Sequence, residues 1–255
     1  MSVVKIRNLT IGEGSPKVIV PLMGKTSEEL VEEVQVVKEL NPDMVEWRAD
    51  VYERLEYMEE VGRTADELRM ALGEVPLLFT FRTHKEGGSR EWSETEYFEL
   101  LSRMVDSCRV DMIDVEYYSD EQQVKNIIQQ AGEKGVRVIL SNHDFGGTPT
   151  MEEIVQRLKG MQEMGADIAK IAVMPRSMDD LFTLLHATNR MKENYANRPL
   201  ITMAMGKLGL ISRLAGEVFG SAATFGAGKE ASAPGQIAVD DLKDVLTVIH
   251  KYQYR

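Results

Sequence analysis

Short apolar runs of strand length recur along the chain at a fairly even interval: Val18-Leu22, Asp43-Arg48, Leu77-Arg82, Met112-Tyr117, Val136-Ser141, Ile168-Val173, Leu200-Met205 and Ala222-Phe225. Their near-continuous apolar character is that of strands buried on both faces. Between them lie stretches with apolar residues at helical spacing, such as Glu28-Leu40, Glu94-Val105, Glu121-Glu133, Met151-Met164 and Asp179-Met191. Thr26-Ser27 precedes the first of these, and Thr148-Pro149-Thr150 leads into Met151-Glu152-Glu153, both as helix starts. Eight strands alternating with about eight helices, at roughly 30 residues per unit, predict an α/β fold of the (β/α)8 TIM-barrel type.

No linker or low-complexity segment interrupts the pattern, so residues 1–255 are expected to form a single barrel domain. Met1-Gly14 reads as an additional N-terminal β-hairpin closing the bottom of the barrel, with Ile11-Gly12-Glu13-Gly14 at or just after its turn. A doubly wound open sheet is the alternative. It is disfavoured because Pro21-Leu22-Met23-Gly24-Lys25 after the first strand is no dinucleotide-binding loop.

The polar residues break this apolar pattern in one direction. In a barrel, alternate strand residues point inward and sites form at the C-terminal strand ends. Strand two carries Glu46, Arg48 and Asp50 on one face, strand three ends in Arg82, and strand four holds Asp114 and Glu116. Strand five ends Ser141-Asn142-His143-Asp144, and strand six carries Lys170. Five adjacent strands placing charge inward imply a ligand, because unpaired buried charge is costly.

Lys170 is the sharpest of these signals. It lies within Asp167-Ile168-Ala169-Lys170-Ile171-Ala172-Val173-Met174-Pro175, where its ammonium cannot easily reach water. Burial and nearby cations favour the neutral amine, which is a nucleophile toward carbonyl carbon. The bland alternative is a lysine paired with a carboxylate. His143 beside such an amine is a natural general acid/base, although alone it reads as a bonded core histidine. His84, His186 and His250 are expected in exposed contexts. Arg213, among the apolar residues of Leu210-Ile211-Ser212-Arg213-Leu214, suits a carboxylate bidentately. Lys85-Glu86-Gly87-Gly88-Ser89-Arg90 and Lys229-Glu230-Ala231-Ser232-Ala233-Pro234-Gly235-Gln236 are candidate covering loops.

Composition narrows the function class. The 255 residues are 43% hydrophobic with a formal charge of −11, and no Lys/Arg-rich tract is present, which argues against nucleic acid. The arginines 48, 82 and 213 at the mouth of an acidic protein instead suggest an anionic small molecule. No stretch has membrane-spanning length and no signal-peptide core is visible, so the expectation is a cytoplasmic protein without a membrane partner. The single cysteine, Cys108, excludes an internal disulfide and reads as a packed thiol. Glu46, Asp50, Asp114, Glu116 and His143 could ligate a metal, but no short ligand spacing appears and the cations oppose it, so no metal is expected.

The motifs Glu46-Trp47-Arg48, Phe79-Thr80-Phe81-Arg82, Glu86-Gly87-Gly88, Ser141-Asn142-His143-Asp144-Phe145, Ala169-Lys170-Ile171-Ala172-Val173-Met174-Pro175, Ile211-Ser212-Arg213 and Ser232-Ala233-Pro234-Gly235-Gln236 closely resemble those of type I 3-dehydroquinate dehydratase, in order and over nearly the whole chain. The resemblance implies a (β/α)8 barrel, typically a homodimer, that dehydrates 3-dehydroquinate to 3-dehydroshikimate in the shikimate route to aromatic amino acids, without metal or organic cofactor. It implies a Schiff base on Lys170, proton transfer by His143, and Glu86 orienting His143. Glu46, Trp47, Arg48 and Arg82 fall in the substrate-binding group, Arg213 takes the carboxylate, and Ser232 and Gln236 close over it. Pro21 departs from the pattern, standing where several relatives have a serine that touches substrate. The rival reading is a Schiff-base aldolase or transaldolase acting on a phosphorylated sugar, with Gly226-Ala227-Gly228-Lys229 and Gly206-Lys207-Leu208-Gly209 as weak phosphate-loop candidates.

Overall fold

A computed structural model describes residues 2–229 and 232–253. An N-terminal hairpin, β1 (Val4–Ile6) and β2 (Leu9–Ile11), precedes a parallel sheet. The sheet runs β3 (Lys17–Leu22), β4 (Met44–Arg48), β5 (Leu77–Thr80), β6 (Met112–Glu116), β7 (Arg137–Asp144), β8 (Ile168–Val173) and β9 (Leu200–Ala204) in sequence order. β10 (Ala223–Ala227) pairs with β3 and extends to a short β11 (Ile237–Ala238). The two ends of the sheet meet where Ala222 N–H donates to the Leu200 carbonyl at 2.7 Å, beside a Leu200–Ser221 bridge. A sheet in sequence order that closes on itself is the expected TIM barrel. It has no reversal of strand order at which a doubly wound sheet would bind its ligand.

Helices α1 (Ser27–Glu39), α2 (Met58–Leu72), α3 (Glu94–Ser107), α4 (Glu121–Lys134), α5 (Met151–Glu163), α6 (Met178–Asn194), α7 (Leu210–Leu214), α8 (Gly216–Phe219) and α9 (Val239–Gln253) cover the outside. The starts of α1, α3, α4, α5 and α6 are fixed by side chains: Thr26, Asp120 and Thr150 each accept from the backbone N–H three residues on, and Ser93 and Ser177 form capping boxes with Glu96 and Asp180. α2 was not among the helices read from the pattern, although Val61, Ala65, Leu68 and Leu72 give it a buried stripe. Cys108 corrects another expectation. It is exposed, at the left-handed residue that ends α3 (φ 53°), rather than packed.

Two cores follow from strand alternation. Outward residues such as Val45, Trp47, Phe79, Val115, Leu140 and Ile171 meet the helices, for example Leu30, Val34 and Leu68. Inward residues at the N-terminal strand ends, Ile19, Met44, Leu78, Met112, Ile139, Ile168 and Ile201, pack on Val4, Ile6 and Ile11 of the hairpin. Each such side chain contributes about 1.5–3 kcal/mol by leaving water. The hairpin therefore seals the bottom of the barrel.

Candidate active site

Two residues further along β4 to β8 the inward face turns polar. Met44 is followed by Glu46 and Arg48, Leu78 by Thr80 and Arg82, Met112 by Asp114 and Glu116, Ile139 by Ser141 and His143, and Ile168 by Lys170. They surround a cavity of about 140 Å³ whose walls include Glu46, Arg48, Thr80, Arg82, Glu86, His143, Lys170, Arg213, Ser232 and Gln236. Nine of the ten residues singled out for the site are thus brought together. Trp47 is the exception. Neighbours on a strand point to opposite faces, and its indole lies in the outer core, edge-on to Tyr52 and Phe79 at 5.7 and 5.3 Å. Trp47 therefore packs in the outer core and does not line the cavity. Pro21 is buried on β3 beside Glu46 and does not line the cavity.

Lys170 is 3% exposed. Its Nζ donates to Asp114 Oδ2 at 3.0 Å and sits 4.6 Å from the centre of the Phe225 ring. The pairing with a carboxylate that the bland reading foresaw is present, yet the amine also borders the cavity. Asp114 is shared. Its Oδ1 accepts from Arg82 Nη2 at 2.7 Å and from the Ser141 hydroxyl. Burial alone would raise the Asp114 carboxyl, but Arg82, then Lys170, hold it well below the usual carboxylate range. Arg82 also pairs with Glu116 at 3.0 Å, and Arg48 makes two bonds to Asp50 at 2.8 and 3.0 Å. The cations are thus largely neutralised by neighbouring carboxylates.

Arg213 is different. It is 1% exposed, meets no carboxylate among the described residues, and its Nε has no partner. Its remaining donors reach Met203 Sδ at 3.6 Å and the Pro234 carbonyl at 3.2 Å. Burial pushes its guanidinium down to about 10, still protonated at neutral pH. A buried cation with free donors facing a cavity is a carboxylate receptor in waiting.

His143 bonds through Nδ1 to Glu86 Oε2 at 2.9 Å, and its backbone N–H donates to the same oxygen at 2.9 Å. Burial, then the charges of Arg82 and Lys170, keep the imidazole well below its ordinary proton affinity, so it is a neutral base. Burial raises Glu86 to about 7, against the pull of Arg82. Glu86 stands on a 3-10 turn, His84–Glu86, that ends in Gly87 (φ 86°). A Cβ there would come within 2.4 Å of the Phe145 ring, so the close approach of this turn to the cavity rim needs glycine. Over the cavity, Arg48 and Arg213 donate to the carbonyls of Ser232 and Pro234, and Ser232 and Gln236 bond to each other at 2.8 and 3.0 Å. Glu230 and Ala231 of that loop lie outside the described residues.

Sequence reasoning missed Met203, Met205, Phe145 and Phe225, which also line the cavity. Met203, Met205 and Phe225 share the inward register, and that register was the available signal. His84 and His186 are exposed as expected, whereas His250 is half-buried against Glu217.

A family model for type I 3-dehydroquinase matches residues 18–253. The chain belongs to the type I 3-dehydroquinase family. It is therefore an enzyme. The 3-dehydroquinate dehydratase of Bacillus velezensis is 55% identical over 252 residues, covering 99% of this chain and 100% of the relative. That of Salmonella typhimurium is 53% identical over 251 residues, 98% of this chain and 100% of the relative. The type I 3-dehydroquinate dehydratase of Clostridium difficile, solved with covalently modified comenic acid, superimposes with a TM-score of 0.96 at 47% identity, over 98% of this chain and 99% of that one. No helix among the described residues is long and apolar enough to cross a membrane.

Proposed function

We propose that this protein removes water from 3-dehydroquinate to give 3-dehydroshikimate, through a Schiff base on Lys170 with His143 as general acid/base. The observation that carries the reading is the convergence, in one cavity, of a buried amine, a neutral imidazole backed by a carboxylate, and a buried arginine with no carboxylate partner among the described residues.

Arg213 receives the substrate carboxylate and thereby directs the ring carbonyl toward Lys170. The Lys170 ammonium passes one proton to the neutral His143 imidazole, and the amine adds to the carbonyl carbon. The imidazolium then returns that proton to the carbinolamine hydroxyl, with Asp114 remaining a carboxylate beside the nitrogen. Loss of water gives a cationic iminium, which draws electrons from the adjacent carbon. His143 removes a proton from that carbon, and the resulting enamine expels the neighbouring hydroxyl. The imidazolium returns its proton to that hydroxyl, which leaves as water. A second water hydrolyses the product iminium and restores the amine, so the net change is the loss of one water. Glu46, Arg48 and Arg82 serve the substrate's polar edge, and Ser232 and Gln236 close over it. The chemistry requires no metal or organic cofactor. The reading carries with it a cytoplasmic homodimer. Exposed Phe182 on α6 and Leu210 and Ile211 on α7 offer apolar surface for such a contact.

Borohydride added with 3-dehydroquinate tests the central step. It should inactivate the enzyme irreversibly, add the mass of one reduced ligand, and place the label on Lys170 rather than on the exposed Lys207 or Lys229. Labelling elsewhere, or none while the enone product still forms, would overturn the Schiff-base assignment. The same experiment separates the aldolase reading, in which a sugar phosphate, not 3-dehydroquinate, would be trapped.

A further inference from the structure

Behind the His143–Glu86 pair runs a second line of contacts that leads out of the cavity. Asn142 precedes His143 on β7, and its side chain is turned away from the barrel interior. Its Nδ2 donates to Glu86 Oε1 at 3.0 Å. Its Oδ1 accepts from Arg157 Nη1, on α5, at 2.7 Å. Arg157 is itself held by Asp144 at 3.1 Å and by Glu153, and its guanidinium carbon lies 5.4 Å over the ring of Tyr118. Its Nε is buried without a partner. An arginine anchored on four sides yet leaving one donor unsatisfied is placed there for the direction of its remaining bonds.

That direction matters. A guanidinium has donors only and keeps its proton at any working pH. The atom of Asn142 that faces it must therefore be the oxygen, which turns the amide NH2 toward Glu86. The NH2 requires an acceptor, so Glu86 Oε1 must accept. Oε2 already accepts from the His143 backbone N–H at 2.9 Å. When Glu86 is ionised, the form these donated bonds favour, it can only accept from His143, so the hydrogen between them lies on Nδ1 and Nε2 remains the free base. We infer that Arg157 and Asn142 are positioning residues that fix the His143 tautomer through Glu86. This inference rests on the dehydratase reading of the pocket.

The alternative is that Arg157 merely ties α5 to the end of β7. The two differ in what replaces arginine successfully. Lysine also has donors only and should preserve the polarity of the chain, whereas glutamine can present either a donor or an acceptor. Turnover of 3-dehydroquinate should fall about tenfold in Arg157→Gln, part of what a well-placed acid/base contributes. KM should stay within about twofold, because no substrate contact is lost. Arg157→Lys should recover most of kcat. In a Glu86→Gln background, Arg157→Gln should change kcat by less than about twofold, since the path through the carboxylate is already cut. Nitrogen-15 NMR of His143, taken above the Glu86 titration near 7 and needing no turnover, should show protonated Nδ1 in the native enzyme and a tautomer mixture in Arg157→Gln and in Asn142→Leu. The inference is overturned if lysine is as slow as glutamine, if the loss is equal in both backgrounds, or if the tautomer does not change in either variant. A native enzyme that shows Nδ1–H but neither dehydrates 3-dehydroquinate nor is trapped by borohydride would instead defeat the functional reading and leave the tautomer result standing.

Discussion

The lower and upper halves of this barrel are built from the same strands, and differ by a two-residue step along each. Ile168 and Lys170, Met112 and Asp114, Ile139 and Ser141 point into the same interior. Below, the side chains interdigitate with the hairpin and exclude water. Above, they form a charged network around Arg82 and a cavity. The lower layer stabilises by burial. The upper layer makes buried charges tolerable by pairing them, and leaves Arg213 without a carboxylate partner among the described residues. Residues of the upper layer are therefore expected to matter for turnover more than for folding, and those of the lower layer the reverse.

The strongest break of this comparison is His143→Ala. Removal of the acid/base should lower kcat by ~10²–10⁴-fold while imine formation on Lys170 persists, so that the covalent adduct accumulates and is visible by mass spectrometry. Wild-type turnover in the variant would remove His143 from the mechanism. Arg213→Ala comes next. Loss of a charge-assisted carboxylate contact should weaken binding by about 2–5 kcal/mol. The fold should tolerate the change, because the guanidinium meets no carboxylate among the described residues. Near-normal affinity for substrate or product by calorimetry would show that Arg213 is not the anchor.

The lower layer supplies the converse. Ile19→Ala, in the sealed bottom, should cost about 2–5 kcal/mol of stability through lost burial and a residual cavity, with kcat little changed at temperatures where the variant is folded. A variant of native melting temperature, or one that is folded yet inactive, would deny the division of labour between the layers.

How far this division was legible follows from the same two-residue step. The strand pattern, the barrel and the inward charges could all be read, because a buried strand tolerates polar residues at alternate positions only where they are paired or meet a ligand. Lys170 was legible for that reason. Trp47 was grouped with Glu46 and Arg48 by their shared motif, although alternation alone turns it outward, away from the cavity. Glu86 lies on a turn with no periodicity, so only the family resemblance pointed to its role. The Asn142–Arg157 contact joins a strand to the following helix across 15 residues, and nothing local in the sequence announces it. The pairing of Lys170 with Asp114 likewise depends on strand register, which sequence alone leaves open.

The mildest prediction concerns pH and sharpens the comparison within the upper layer. Glu86 meets Arg82 from the end of β5, Glu116 from β6, and Asn142 and His143 from β7, with Arg157 and Asp144 beyond Asn142. Burial raises its carboxyl to about 7, while His143 is kept well below its ordinary value. Below that point Glu86 holds a proton, which lies toward Nδ1 and pushes the imidazole hydrogen onto Nε2, where a free base is needed. Above it, Glu86 accepts from Nδ1–H and Nε2 is available. The sign is therefore a loss of kcat/KM as pH falls through about 7, reaching roughly tenfold one unit below. His143 should add no separate limb at its ordinary pKa, because it is already neutral there. Glu86→Gln cannot titrate, so it should lower the plateau and abolish this limb. A native profile that is flat between about pH 6 and about pH 8, or a limb that survives in Glu86→Gln, would assign the titration to another group and detach Glu86 from the base.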